Sequence, residues 1–190
     1  MEKQSRFSVR RMALCAVLAA VMCVIAPISI PIGPISITGG TLVIYLAVYL
    51  LGGAWGTASV LVYLLLGFVG LPVFSGYMGG AARLLGPTGG YLVGYLPMAL
   101  LAGALIQWGL RRFGGRTVSA LMVALLAMVL GTAVLYAFGT AWYCVQAGVD
   151  LGKALAVCVA PFIPFDLLKM VVALVVGIPV RRRLIQAGLL

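Results

Sequence analysis

Histidine is absent from this chain of 190 residues, and only three residues are acidic. Without imidazole the chain has neither the commonest general base for neutral pH nor the commonest metal ligand. With Glu2, Asp150 and Asp166 as its whole acidic complement, a hydrolase working through paired carboxylates is hard to build. Charge of either sign is scarce at 8% of residues, against about 25% in ordinary soluble domains. The phosphate-binding signature G-x-x-x-x-G-K-[ST] is missing too, because Gly152-Lys153 runs into Ala154 with no glycine at the required offset. ATP hydrolysis by that route is excluded. The cysteines Cys15, Cys23, Cys144 and Cys158 lie in apolar stretches without C-x-x-C spacing, so packing is their expected role. No enzyme, no metal centre and no cofactor is expected.

Apolar side chains fill the space these absences leave. Hydrophobic residues make up 64% of the chain, too many for a fold that must cover itself with polar surface. The length suits a single domain spanning residues 1–190, and the composition makes it an integral membrane domain.

The net charge of +10 superficially suggests nucleic acid, but the basic residues are placed otherwise. No charged residue occurs between Arg11 and Arg83, between Arg83 and Arg111, or between Arg116 and Asp150. A nucleic-acid protein spreads its basic residues over one face. Here they cluster between apolar runs, as the positive-inside rule requires. Lys3, Arg6, Arg10 and Arg11 mark the N-terminus as cytoplasmic, Arg111, Arg112 and Arg116 an internal loop, and Arg181, Arg182 and Arg183 the C-terminus. The basic Arg10-Arg11 pair before an apolar run imitates a secretory leader. No small-residue cleavage motif follows, so an uncleaved first helix is expected.

A span needs about 20 apolar residues. Candidates are 10–28, 90–110, 118–147 and 165–182, with one apolar stretch from Thr41 to Val69 too long for a single upright helix. Termini on one side demand an even number of spans, so that stretch must break at Gly52-Gly53, giving 40–51 and 54–70. The expected fold is all-α, with six transmembrane helices and both termini cytoplasmic. Ser29–Gly40, rich in proline and glycine, reads as a loop or re-entrant turn.

Two segments carry candidate chemistry. Gly70–Tyr91 holds seven glycines, two prolines and a single charge, Arg83. It reads either as a flexible outer connector or as a ligand-lining loop, and its apolar character favours the second, since irregular backbone at membrane depth is tolerated where it is buried or lines a cavity. The other is Pro161-Phe-Ile-Pro-Phe-Asp166-Leu-Leu-Lys169, which opens the last span. Asp166 and Lys169 are three apart and share a helix face. They read either as a local ion pair with Lys169 snorkelling outward or as a polar ligand anchor. Tyr45, Tyr49, Trp55, Tyr95 and Trp108 read as interface anchors, whereas Tyr91, directly after the glycine loop, can cover a ligand ring. On the first helix Ala16-x-x-x-Ala20 fits a small-residue pattern for close helix approach, within the chain or to a partner.

Taken in order, Gly70-Leu-Pro-Val-Phe74, Gly79-Gly80, Gly86-Pro-Thr-Gly-Gly-Tyr-Leu92 and Phe162-Ile-Pro-x-Asp166-x-x-Lys169 resemble the BioY family, biotin-binding S components of energy-coupling-factor vitamin transporters. The chain departs from the family pattern at Tyr77, Met78 and Phe165. The resemblance implies an S-component fold in a prokaryotic cell membrane and capture of biotin from outside. It also implies partners: a transmembrane coupling subunit, docked on the face bearing Ala16 and Ala20, and two cytoplasmic ATPases that supply the energy. Biotin is then a transported ligand, lipid the surroundings, and nucleic acid no partner. The implied ligand residues are Met78, Gly79, Gly80, Arg83, Tyr91, Asp166 and Lys169, with Gly86, Pro87, Thr88, Gly89 and Gly90 as loop scaffold. Asp166 can accept from the ureido N–H groups, and either Lys169 or Arg83 can meet the carboxylate. The alternatives are an S component for another vitamin and a membrane assembly or regulatory protein without a ligand.

Overall fold

The structure is a computed structural model that describes residues 9–32, 35–114 and 118–190. Lys3, Arg6 and Arg116, counted above as topological markers, lie outside the described residues. Helix α1 (Val9–Ile25) ends just before Ala26-Pro27, where proline disfavours further helix. The next segment forms an antiparallel hairpin of β1 (Ser29–Ile32) and β2 (Ile35–Thr38), with Ser29 opposite Thr38 and Ile32 opposite Ile35. The expectation of a loop or re-entrant turn there, and of an all-α chain, is thereby corrected. The β-branched Ile30, Ile32, Ile35 and Ile37 favour extended pairing over a helical or irregular path.

Helix α2 (Gly40–Phe68) is interrupted at Gly52, whose φ of 80° and ψ of −170° are not helical. A Cβ at Gly56 would lie 2.9 Å from the Cα of Val48, eight residues earlier. In a straight helix those positions are about 12 Å apart, so the chain doubles back at Gly52. The turn is glycine-dependent twice over: φ is positive, and a side chain there would collide with Gln107. Gly103 packs against Gly53 with no room for a Cβ, bringing α2 against α4 backbone to backbone. After a short α3 (Ala81–Leu85) come α4 (Gly89–Phe113), α5 (Val118–Ala147), α6 (Leu151–Cys158) and α7 (Ile163–Gln186). Asp150 caps α6 by accepting from the Gly152 N–H at 3.0 Å.

Among the described residues four helices, α2, α4, α5 and α7, are long and apolar enough to cross a membrane. With its apolar composition, the chain is a mostly helical multi-pass membrane protein. Buried Tyr45, Tyr49, Met98, Met128 and Met170 fill the middle of the bundle. Tyr45 is satisfied there by Thr132 Oγ1 at 2.7 Å, which in turn donates to the Met128 carbonyl at 2.8 Å. Helix α7 is more peripheral and leaves Leu168, Val171 and Val175 at least half exposed, an apolar surface suited to lipid.

Contacts sort the bundle into two ends. At one, Ile25 touches Gly39, Phe74 packs on Gly67, and Trp142 packs on Gly90. At the other, Gly52 meets Gln107 and Arg10 donates to the Gly188 carbonyl at 2.7 Å. Arg111 and Arg112 end α4 at this second end, and Arg181, Arg182 and Arg183 lie near the end of α7 there.

Candidate functional site

Two adjoining recesses open at the hairpin end. Ile35, Ser36 and Thr38 of β2 and Tyr91 and Tyr95 of α4 line both. One recess adds Ile37, Thr41, Leu135, Tyr136, Cys158, Phe162, Asp166 and Lys169. The other adds Phe74, Ser75, Arg83, Thr88 and Leu92. The shared wall makes them one elongated site roofed by the hairpin. Thr38 ties the end of the hairpin to the start of α2 by accepting the Gly40 N–H at 3.2 Å.

The floor is a knot of four side chains from three helices. Asp166 sits in the first turn of α7, after Pro164, and is 5% exposed. Its Oδ1 accepts from Lys169 Nζ at 3.0 Å and from Thr41 Oγ1 at 3.2 Å, and its Oδ2 accepts from the Tyr136 hydroxyl at 2.7 Å. Lys169 Nζ also donates to Thr41 Oγ1 at 3.0 Å. The i,i+3 ion pair expected from the sequence forms. It does not snorkel away, since Lys169 remains tied to α2. A buried carboxylate is tolerated only when paired and hydrogen-bonded, and both conditions are met.

The wall is apolar with a polar seam. Tyr91 packs its ring on Gly139 and shares a 2.9 Å hydrogen bond with Thr140. Cys158 lies on the same wall, and burial pushes its thiol above the ordinary range. The thiol is therefore neutral and brings no charge to the wall. Arg83, at the far end of the site, makes no ion pair among the described residues.

Of the residues singled out from the sequence, Asp166, Lys169, Tyr91, Arg83 and Thr88 line the site. Met78, Gly79, Gly80, Gly86, Pro87, Gly89 and Gly90 line neither recess. Met78 exchanges backbone hydrogen bonds with Phe74 and leaves its side chain half exposed. Gly79 packs on the Leu71 carbonyl, and the Gly80 N–H donates to Gly67 at 2.7 Å. Gly86 accepts from Trp142 Nε1 at 3.0 Å and from the Gly89 N–H at 2.9 Å. Ala16 and Ala20 lie exposed on α1. Tyr95, expected as an interface anchor, instead lines both recesses, and Thr41, Tyr136 and the hairpin were not singled out as parts of a site. The available signal was a hydroxyl within a long apolar run, which in a membrane needs a partner.

The sequence profile of the BioY family matches residues 1–186. The chain is 35% identical to biotin transporter BioY2 of Lactococcus lactis subsp. cremoris, covering 91% of each chain. It is 36% identical to biotin transporter BioY of Thermotoga maritima over 73% of this chain and 76% of that one. Its backbone resembles the crystal structure of the S-component for biotin from an ECF-type ABC transporter. The TM-score is 0.81 at 31% identity, with 92% of each chain covered.

Proposed function

The chain belongs to the BioY family, and we propose that it is the biotin-capturing S component of an energy-coupling-factor uptake transporter. It is a transport subunit and not an enzyme. One observation carries the ligand assignment: a single elongated site has a net-neutral, hydrogen-bonding knot at one end and, at the other, a guanidinium with no ion pair among the described residues. Biotin has the same polarity along its length. Its ureido group is neutral and offers N–H donors and a carbonyl, its bicycle is apolar, and its tail ends in a carboxylate. We place the ureido group at Asp166 and Lys169, the bicycle against Tyr91 and Tyr95, and the carboxylate at Arg83. Lys169 is already paired with Asp166, so Arg83 is the cation left for the tail.

The same reading orients the chain. The six spans are α1, the arms 40–51 and 53–68 of α2, α4, α5 and α7. The first arm of α2 is short for a bilayer, but residues 47–51 are all buried, so protein and not lipid surrounds it. Arginines at the end opposite the site support a cytoplasmic position for both termini and an outer one for the hairpin. The membrane is then the cell membrane, and inward delivery requires a coupling subunit and ATPases, because this chain carries no phosphate-binding loop.

The test is a calorimetric titration of the purified chain with biotin and with biotin methyl ester. Wild type binds free biotin better than the ester. Arg83→Met loses most of that preference, a change of about tenfold for one charge-assisted contact. Lys169→Met weakens both ligands together. A chain that ignores micromolar biotin sinks the whole reading, and an Arg83→Met variant that keeps the preference removes Arg83 from the tail contact.

A further inference from the structure

Three side chains around Asp166 leave the knot with few free valences. A carboxylate offers roughly four acceptor positions. Lys169 and Thr41 occupy both on Oδ1, and Tyr136 occupies one on Oδ2. One charged acceptor position remains. An ammonium has about three donors, and Lys169 uses two, on Asp166 and Thr41. One charged donor remains. The hydroxyls of Thr41 and Tyr136 have spent their single protons on the carboxylate and keep only neutral acceptor capacity. The knot therefore presents one charged acceptor beside one charged donor, with no net charge.

We propose that Tyr136 and Thr41 are specificity-determining residues: by filling acceptor positions of Asp166, and in the case of Thr41 by also holding Lys169, they set the site to read an adjacent N–H and C=O, the edge of a cyclic urea or lactam, and to reject a cationic amidine or guanidine head. This rests on the biotin reading above and adds to it the device that selects the head group. A cationic head has no carbonyl for the remaining Lys169 proton and places its charge against that ammonium. It also carries more donors than the one charged acceptor left can take, so donors would be buried unsatisfied. Tyr136→Phe removes only the hydroxyl. It frees the second Oδ2 position and leaves the carboxylate less neutralised, which favours a cationic head over a neutral one.

The probes are biotin, desthiobiotin, which keeps the cyclic urea, and 2-iminobiotin in its cationic form, each titrated into wild type, Tyr136→Phe, Thr41→Val and Thr41→Ser in detergent. The expected result is that Tyr136→Phe narrows the biotin-to-iminobiotin affinity ratio by about tenfold, the worth of one hydrogen bond to a charged group. The biotin-to-desthiobiotin ratio stays fixed, because both ligands present the same edge. Thr41→Val narrows the first ratio in the same direction but by less, because the acceptor position it frees on Asp166 is partly offset by the donor it frees on Lys169, and Thr41→Ser, which keeps the hydroxyl, restores it. Parallel weakening of all three ligands in both variants assigns the two residues a purely structural role and overturns the proposal. Should Tyr136→Phe not fold, Thr41→Val against Thr41→Ser decides alone. A wild-type chain that binds none of the ureas fails the biotin reading itself, a different outcome from wild-type binding with unmoved ratios.

Discussion

The glycine-rich segment Gly70–Tyr91 and the opening turn of α7 both stand out in the sequence, for opposite reasons, and the fold uses them differently. The first is conspicuous for backbone freedom, the second for charge in an apolar run. In the structure most of the loop is occupied with itself. Phe74 is fully buried on Gly67 with its ring edge-on to Tyr63 at 5.6 Å, Phe74 and Met78 pair their backbones, and the Gly76 N–H reaches back to the Pro27 carbonyl at 3.1 Å. Only Phe74, Ser75, Arg83, Thr88 and Tyr91 of that stretch reach the recesses. The α7 turn, by contrast, spends nearly every polar atom on the site. Glycine here lets a loop fold tightly enough to carry a few side chains, and the chemistry comes from groups far apart in sequence, Thr41, Tyr136, Asp166 and Lys169.

The largest expected effect falls on the α7 turn. Asp166→Asn removes the anionic partner of a buried, hydrogen-bonded pair, a change worth about 2–5 kcal/mol at a binding site. Biotin affinity is expected to fall by about 100-fold or more in calorimetric titration. Stability falls as well, because the partly buried Lys169 ammonium is left with only Thr41 and an amide. The double variant Asp166→Asn with Lys169→Met recovers the melting temperature without recovering binding. If the single variant binds biotin normally, the knot is a structural ion pair and the contrast between the two regions collapses.

How far each region was legible follows from what a sequence displays. The break in α2 was readable because Gly52-Gly53 interrupts a stretch too long for one span, and Asp166 and Lys169 were readable because two charges three apart in an apolar run have few other uses. Their partners were not. Tyr136 lies in the middle of α5 among alanine, leucine and valine, and only folding brings its hydroxyl to a carboxylate 30 residues on. The hairpin was missed because Pro31 obscures a β-branched alternation that pairs over only four residues on each side. The glycines misled in the other direction. Their freedom marks close approach without saying to what, and in most of the loop the thing approached is the chain itself.

An intermediate effect belongs to the loop's packing. At Gly79 an added Cβ would fall on the Leu71 carbonyl, a backbone atom that cannot swing aside. Gly79→Ala is expected to cost about 1–3 kcal/mol of stability, as overpacking does, and to lower the thermal unfolding midpoint. Biotin affinity drops far less than in Asp166→Asn, because the strained contact lies outside both recesses. A variant as stable as wild type that has lost biotin would move Gly79 from scaffold to ligand contact.

The smallest effect is expected at Met78. Resemblance places this residue among the ligand contacts, whereas the structure uses its backbone to close the Phe74–Met78 bridge and leaves its side chain 49% exposed. Truncation to alanine keeps both backbone hydrogen bonds and removes atoms that line neither recess. Substitutions away from buried or strained features change stability by about 0.5 kcal/mol or less. Met78→Ala is therefore expected to leave the melting temperature unchanged and to hold the biotin affinity within about twofold of wild type. A loss beyond tenfold at unchanged stability would mean that the loop closes onto bound biotin and brings the Met78 side chain with it. The loop would then be a moving part of the site, and the distinction between scaffold and chemistry would hold only for the empty protein.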